Sequence, residues 1–276
     1  MAKMGAVWDR TAEFLGDRAG ALVPLALFAL AVPAGISANL SALAGTGGVA
    51  RGVALVVQLL LWLVSMWGSL AVTALAIGAG GVSEAGQVAR RRLLATLIVA
   101  LTLGIAAAVL GMPMVVMLVA AGYDLNAIGQ PNASMQVDPA TAMRVGAYSL
   151  LWLVIILVLF VRLVVVNPVL LREGGLFGSL GRSWQLTRRH TFRIVGVLIL
   201  LLVVASVCQL AAQAVFGSVL ALVLGGGSGI SLATVLTSLV VAAVQSVFMV
   251  VFAAFQGKLY VALAGDTEQP DLHPAA

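Results

Sequence analysis

The chain has very few of the residues that carry most protein chemistry. Its 276 residues include one cysteine, two histidines and 10 carboxylate side chains, and charged residues make up only 9% of the sequence. The lone Cys208 excludes an internal disulfide and a cysteine-based zinc site. Hydrophobic residues make up 62%, too large a share for a water-facing shell to cover. Lipid is therefore the expected solvent for most of the protein surface.

Six long apolar runs contain most of these hydrophobic residues. Each run supplies the roughly 20 residues that cross a bilayer, and each must be helical because lipid offers the backbone no hydrogen-bond partner. The sequence predicts an all-α integral membrane protein in which residues 1–265 form one domain. The predicted spans are residues 20–42, 53–78, 93–121, 145–171, 194–224 and 232–264. The acidic, proline-containing tail over residues 266–276 is predicted to be disordered.

Basic residues are distributed unevenly between the connections. Twelve lie in the N-terminal arm, in the second-to-third and fourth-to-fifth connections and near the C-terminus, whereas only Arg51 and Arg144 lie in the opposite connections. Cytoplasmic segments carry the excess of Lys and Arg, so both termini are predicted to be cytoplasmic. In these short segments the arginines set orientation and meet anionic headgroups. Membrane lipids are therefore the expected partners, and nucleic acid is not.

Three segments on the predicted cytoplasmic side have opposed apolar and polar helical faces. They cover residues 7–18, 82–93 and 176–193, and each follows a glycine and precedes a pair of spans. This order predicts three repeats of an amphipathic interfacial helix and two spans.

The third segment combines an apolar stripe with a basic face. Its stripe consists of Leu176, Phe177, Leu180 and Trp184. A helix of this kind lies in the headgroup plane, with aromatic side chains buried and guanidinium groups on lipid phosphate. The predicted lipid-headgroup contacts are Arg182, Arg188, Arg189, Arg193 and Trp184. Alternatively, the arginines only set topology and the stripe packs on the bundle.

Arg162 is the one charged residue predicted to lie inside a span, and such a residue is by default a functional hypothesis. It precedes Asn167-Pro168 by five residues, so about 7–8 Å of helical rise would let its guanidinium reach the cytoplasmic headgroups. A structural or lipid-phosphate role is favoured over binding of a transported anion.

The other polar and helix-bending residues in the spans are few. Interhelical hydrogen bonds are predicted for the intramembrane glutamines Gln209, Gln213 and Gln245. Helix kinks are predicted at Pro168, Pro113 and Pro33. No carboxylate falls within a predicted span, so proton coupling through Asp or Glu has no candidate.

The run GRSWQLTRRHTFRIVGVLIL, preceded by RLVVVNPVLLREGG, resembles the most recognisable stretch of the bacterial glycerophosphoryl diester phosphodiesterase membrane-domain family. In that family a span ending in Arg and Pro leads to an acidic residue, a glycine and a Ser-Trp-x-Leu-Thr motif. The matching positions are Arg162, Pro168, Glu173, Gly174, Ser183, Trp184, Leu186 and Thr187. The N-terminal arm with Trp8 and the closing FQGKLYVALAGD are similar as well.

The resemblance implies a six-span protein of the bacterial inner membrane that is not itself a catalyst. In fused members a soluble (β/α)₈ barrel with paired histidines and metal-binding carboxylates performs the hydrolysis. Such a barrel needs about 250 residues, and this chain has no room for one. Its histidines, His190 and His273, lie at an interfacial helix end and in the tail.

The expected function is therefore non-enzymatic, without cofactor or metal. The chain is expected to be a lipid-contacting scaffold or partner module for envelope and lipid-related proteins, and other membrane proteins are the second expected class of partner. A transporter or lipid-moving protein with an intramembrane site near Arg162 is the alternative. A cavity lined by Arg162 and the glutamines would favour transport, whereas a close-packed bundle would favour the scaffold.

Overall fold

The computed structural model of the chain describes residues 4–43, 48–122, 138–188, 190–224 and 232–268. Over these residues the chain is helical, with short turns between helices. In chain order the helices are α1 (Met4–Asp17), α2 (Ala19–Ala26), α3 (Val32–Leu43), α4 (Gly48–Ala76), α5 (Val82–Ala120), α6 (Pro139–Arg162), α7 (Val166–Arg172), α8 (Leu176–Thr187), α9 (Thr191–Leu224) and α10 (Leu232–Glu268). A π-helical turn over Leu27–Ala31 joins α2 to α3.

Six helical segments among the described residues are long and apolar enough to cross a membrane. They are Ala19–Leu40, Val49–Ala76, Val82–Ala120, Pro139–Arg172, Thr191–Val223 and Leu232–Gly265. The prediction of an all-α protein with six spans is therefore confirmed. The observed helix α10 continues to Glu268, so residues 266–268 are helical and do not belong to a disordered tail. Residues 269–276 lie outside the described residues.

The amphipathic segment 82–93 is not a separate interfacial helix, contrary to the predicted repeat. It forms the first turns of α5, which runs for 39 residues from Val82 to Ala120, or about 58 Å at 1.5 Å per residue. No glycine or proline lies between Gly86 and Gly104, so nothing in this stretch interrupts the helix. Ala85 and Ala89 of the predicted apolar face are buried.

The three prolines predicted to kink helices have different surroundings. Pro168 follows a break over residues 163–165, where α6 ends and α7 begins. The break fits the missing N–H of proline and the clash of its ring with the carbonyl four residues earlier. Pro33 is the second residue of α3, which begins right after the π-helical turn, whereas Pro113 lies inside the uninterrupted α5.

The tightly packed core lies at the end of the bundle that carries α1, α7 and α8. Buried side chains of these helices pack there with the last turns of α4 and the C-terminal half of α10. A Cβ atom at Gly257 would lie 2.6 Å from the Cβ of Ala76 and 3.2 Å from the carbonyl oxygen of Thr73. Glycine thus lets α10 and α4 approach closely, as small residues do between helices in membranes.

Candidate membrane-surface site at Arg162 and α8

Helix α8 is attached to the end of α6 by two hydroxyl groups. Ser183 Oγ donates to the carbonyl oxygen of Arg162 at 2.8 Å. Thr187 Oγ1 lies 3.1 Å from the same oxygen and 2.9 Å from the carbonyl oxygen of Ser183. Both side chains are fully buried. We call this arrangement of Ser183, Thr187 and the Arg162 carbonyl the hydroxyl clamp.

The carbonyl in the hydroxyl clamp belongs to the last turn of a helix. Helix α6 ends at Arg162, and the N–H of Val166 donates to the carbonyl of Leu163 at 3.0 Å. The carbonyl of Arg162 is therefore one of the groups that a helix end leaves without its regular partner. Hydroxyl groups from α8 satisfy it, so the Ser and Thr of the Ser-Trp-x-Leu-Thr sequence act here as a cap supplied by another helix.

The bundle buries the hydroxyl face of α8 and covers its apolar stripe less completely. The buried residues of α8 are Ser179, Ser183, Leu186 and Thr187. Leu176 and Leu180 of the stripe are only partly buried, and Trp184 is 42% exposed. The side chain of Phe177 lies outside the described part of the chain. The stripe is therefore partly covered by the protein, which fits both interpretations of this segment.

The guanidinium of Arg162 lies beside Trp184 at the same end of the protein. Its Cζ atom is 4.9 Å from the centre of the Trp184 ring, which is within the range of a cation–π contact. Nε and Nη1 of Arg162 are buried, and neither has a hydrogen-bond acceptor among the described residues. Buried donors of this kind are normally paired, so the side chain lacks an acceptor here.

Glu173 connects three helices next to the hydroxyl clamp. Tyr260 of α10 donates its hydroxyl to Glu173 Oε1 at 2.9 Å, and Arg182 Nε of α8 lies 3.7 Å from the same oxygen. Gly174 has a φ of +81°, and a Cβ there would lie 2.6 Å from Nη2 of Arg92 on α5. Arg182 therefore pairs with a carboxylate as well as lying on the predicted lipid-facing basic surface.

The remaining predicted headgroup residues flank the start of α9. Arg188 and Arg193 are exposed, and the neighbouring Phe192 is 92% exposed. Arg189 lies outside the described residues. An exposed aromatic ring between exposed arginines matches the composition of a membrane–water interface. The sequence reading did not single out Phe192, although its place directly before Arg193 gave the signal.

The three glutamines lie away from Arg162, in a groove between α3, α9 and α10. The groove has a volume of about 660 Å³ and is lined by Gln209, Gln213 and Gln245 together with small residues and hydroxyl groups. Among the described residues, no hydrogen bond joins these glutamines to another helix, so the predicted interhelical bonds are not found there. Arg162 does not line this groove.

Within the described ranges, no three His, Cys, Asp or Glu side chains lie close enough together to hold a metal ion. The carboxylate of Glu173 is held by Tyr260 and Arg182. This geometry fixes the Glu173 carboxylate in a polar network between α8 and α10.

Six spanning helices, closed at one end by short surface helices, define a multi-pass α-helical membrane protein. The chain belongs to the family of the domain of unknown function DUF7847, whose model matches residues 10–263. No curated protein and no solved structure matches the chain. The family match carries no link to the glycerophosphoryl diester phosphodiesterase membrane-domain family, so that resemblance stays a prediction.

Proposed function

We propose that the protein is a non-enzymatic, lipid-contacting scaffold of the bacterial cytoplasmic membrane, with both termini in the cytoplasm. The observation that carries this proposal is the orientation of α8. Its hydroxyl face is buried against the bundle, whereas in its apolar stripe Leu180 is only partly buried and Trp184 is 42% exposed. A surface helix held in this way presents apolar side chains to the headgroup region of a membrane.

The charges at this end of the bundle support contact with anionic lipid. Arg188 and Arg193 are exposed, and each arginine near an anionic membrane surface contributes about 1 kcal/mol. The buried Nε and Nη1 of Arg162 have no acceptor among the described residues. We propose that a lipid phosphate accepts from them once the Trp184 ring moves off the guanidinium, because a charged donor binds phosphate strongly.

The scaffold role also concerns other membrane proteins. Most large apolar side chains of α5 and α9 are exposed in the single chain, and in a membrane either lipid or a neighbouring helix can cover them. We propose membrane proteins of the envelope as the second class of partner. Neither a cofactor nor a nucleic acid is part of the proposed function.

The glutamine-lined groove supports a second candidate, a transporter or lipid-moving protein. The groove takes polar side chains from the spanning helices, namely Gln209, Gln213 and Gln245. A polar molecule that crosses the membrane would need such groups as hydrogen-bond partners. The candidate as first framed around Arg162 is weaker, because Arg162 lies at the end of α6 beside Trp184. Scaffold function explains the arrangement of α8, whereas transport does not require it.

The non-enzymatic part of the proposal predicts no hydrolysis of glycerophosphodiesters. Purified protein incubated with glycerophosphocholine and divalent metal ions should release no more product than a detergent blank, because the described carboxylates form no metal-binding group. The matched variant is Glu173→Gln, which changes the one carboxylate fixed at the site. Turnover by the natural chain that disappears in this variant would contradict the proposal.

A further inference from the structure

A groove on the surface of α5 contains two arginines and lies outside the site at α8. It has a volume of about 520 Å³, and its polar lining comes from Ser83, Gln87, Arg90 and Arg91. Neither arginine forms a salt bridge with any residue in the described ranges. Glu84 is the nearest acid on the helix, and its carboxylate accepts a hydrogen bond from the N–H of Gly80 at 2.9 Å. The groove is therefore basic.

An apolar cleft adjoins this basic groove. The cleft has a volume of about 460 Å³ and lies between the first span and α4, where Pro24, Phe28 and Val64 line it. Phe28 belongs to the π-helical turn, and its side chain is 76% exposed. Almost all of the cleft lining is apolar, so water is a poor occupant and a hydrocarbon chain is a good one.

Two residues line both the basic groove and the apolar cleft. Trp67 and Val82 belong to each lining. The indole Nε1 of Trp67 donates to the carbonyl oxygen of Gly86 at 3.0 Å, which fixes the ring at the junction. Tryptophan at such a boundary is typical of the level where headgroups meet acyl chains. The two spaces thus form one composite groove with a charged part and an apolar part.

We propose that the composite groove holds one anionic glycerophospholipid. Arg90 and Arg91 bind the phosphate, Ser83 and Gln87 bind polar headgroup atoms, and an acyl chain runs past Trp67 towards Phe28. Charge complementarity selects a negatively charged lipid over a neutral one. This inference rests on the proposed lipid-contacting function and adds a defined binding site to it, separate from the surface of α8.

The test measures how much lipid the full-length protein retains after delipidation, using native mass spectrometry with added phosphatidylglycerol or phosphatidylcholine. The natural chain should retain phosphatidylglycerol preferentially. Arg90→Gln together with Arg91→Gln should lower its affinity about thirtyfold, since two arginines contribute about 2 kcal/mol and 1.4 kcal/mol is tenfold. Ala21→Trp, which fills the apolar cleft, should weaken retention while leaving both arginines in place.

The control is Arg51→Gln together with Arg144→Gln, which removes two exposed arginines that belong neither to the groove nor to the α8 surface and should leave this affinity unchanged. A further variant, Arg188→Gln together with Arg193→Gln, removes two exposed arginines at α8 and reports on lipid bound at that surface. Glycerol 3-phosphate without acyl chains should not displace the bound lipid, and displacement at equal concentration would mean that the groove binds a free phosphate. An affinity lowered only in the α8 variant would overturn the site and leave the lipid-contacting function standing. Equal retention of neutral and anionic lipid by every variant would contradict both.

Discussion

A reporter enzyme that is active only in the periplasm should give full activity when fused after Asn132 and background activity when fused after Gly178. The same reporter should be active after Gly47 and Gly227 and inactive after Gly86 and Ala276. The expected difference is all-or-none, because each fusion places the reporter on one side of the membrane. The physical reason is the distribution of basic residues, of which twelve lie in one set of segments and two in the other, together with the positive-inside rule.

The structure strengthens this prediction by placing basic residues from distant parts of the chain at one end of the bundle. Arg92 of α5 lies against Gly174, Arg182 of α8 pairs with Glu173, and Lys258 of α10 lies 4.8 Å from the ring centre of Phe14 in α1. A complementary reporter that is active only in the cytoplasm serves as the control. Periplasmic activity at Gly178 would contradict the proposed orientation.

Replacing both hydroxyl residues of the clamp, Ser183→Ala with Thr187→Ala, should lower the free energy of unfolding by about 1–3 kcal/mol. The reason is that the buried carbonyl of Arg162 loses its donors, and an unsatisfied buried acceptor costs about this much. Thermal unfolding of the purified protein in one detergent measures the change. Limited proteolysis by trypsin should also cleave faster at Arg188 once α8 is less firmly attached.

The control for this experiment is Ser218→Ala in α9. Ser218 Oγ donates to the carbonyl of Ala214 in its own helix at 2.7 Å and is exposed, so its loss should change stability by less than about 0.5 kcal/mol. A double clamp variant that unfolds at the same temperature as this control would show that the hydroxyl groups do not hold α8.

Hydropathy was sufficient to predict the six spans, because each needs only a long apolar run and a helix. Helical spacing placed Val7, Trp8, Thr11, Phe14 and Leu15 on the apolar face of α1. Of these, Val7, Thr11 and Phe14 are buried, whereas Trp8 is 43% exposed. The buried face of α8 could not be predicted in this way. Its Ser183 and Thr187 look like polar surface residues in the sequence, and the carbonyl that they cap belongs to another helix, 21 and 25 residues earlier in the chain.

Contacts between distant segments could not be predicted from the sequence either, because each partner lies on a different helix. Tyr260 and Glu173 lie 87 residues apart, and neither has a neighbour in sequence that indicates the pairing. The glutamines were read as bonding partners because two of them share a helical face. Many small residues line the same groove. They leave open space beside the glutamines where the prediction placed a hydrogen-bond partner on a neighbouring helix.

The measurement that tests the lipid-contacting role most directly is the depth of a spin label on the apolar stripe of α8. The chain has one cysteine, and it is exposed, so Cys208→Ser provides a cysteine-free background in which Leu180→Cys carries the label. Gln185→Cys, at an exposed position of α8, is the matched control. In anionic vesicles the label at residue 180 should lie about 5–10 Å below the phosphates. It should therefore collide with oxygen and be shielded from a water-soluble nickel complex. The label at residue 185 should be accessible to the nickel complex. Equal access of the nickel complex to both labels would contradict the account, because the stripe would then face water.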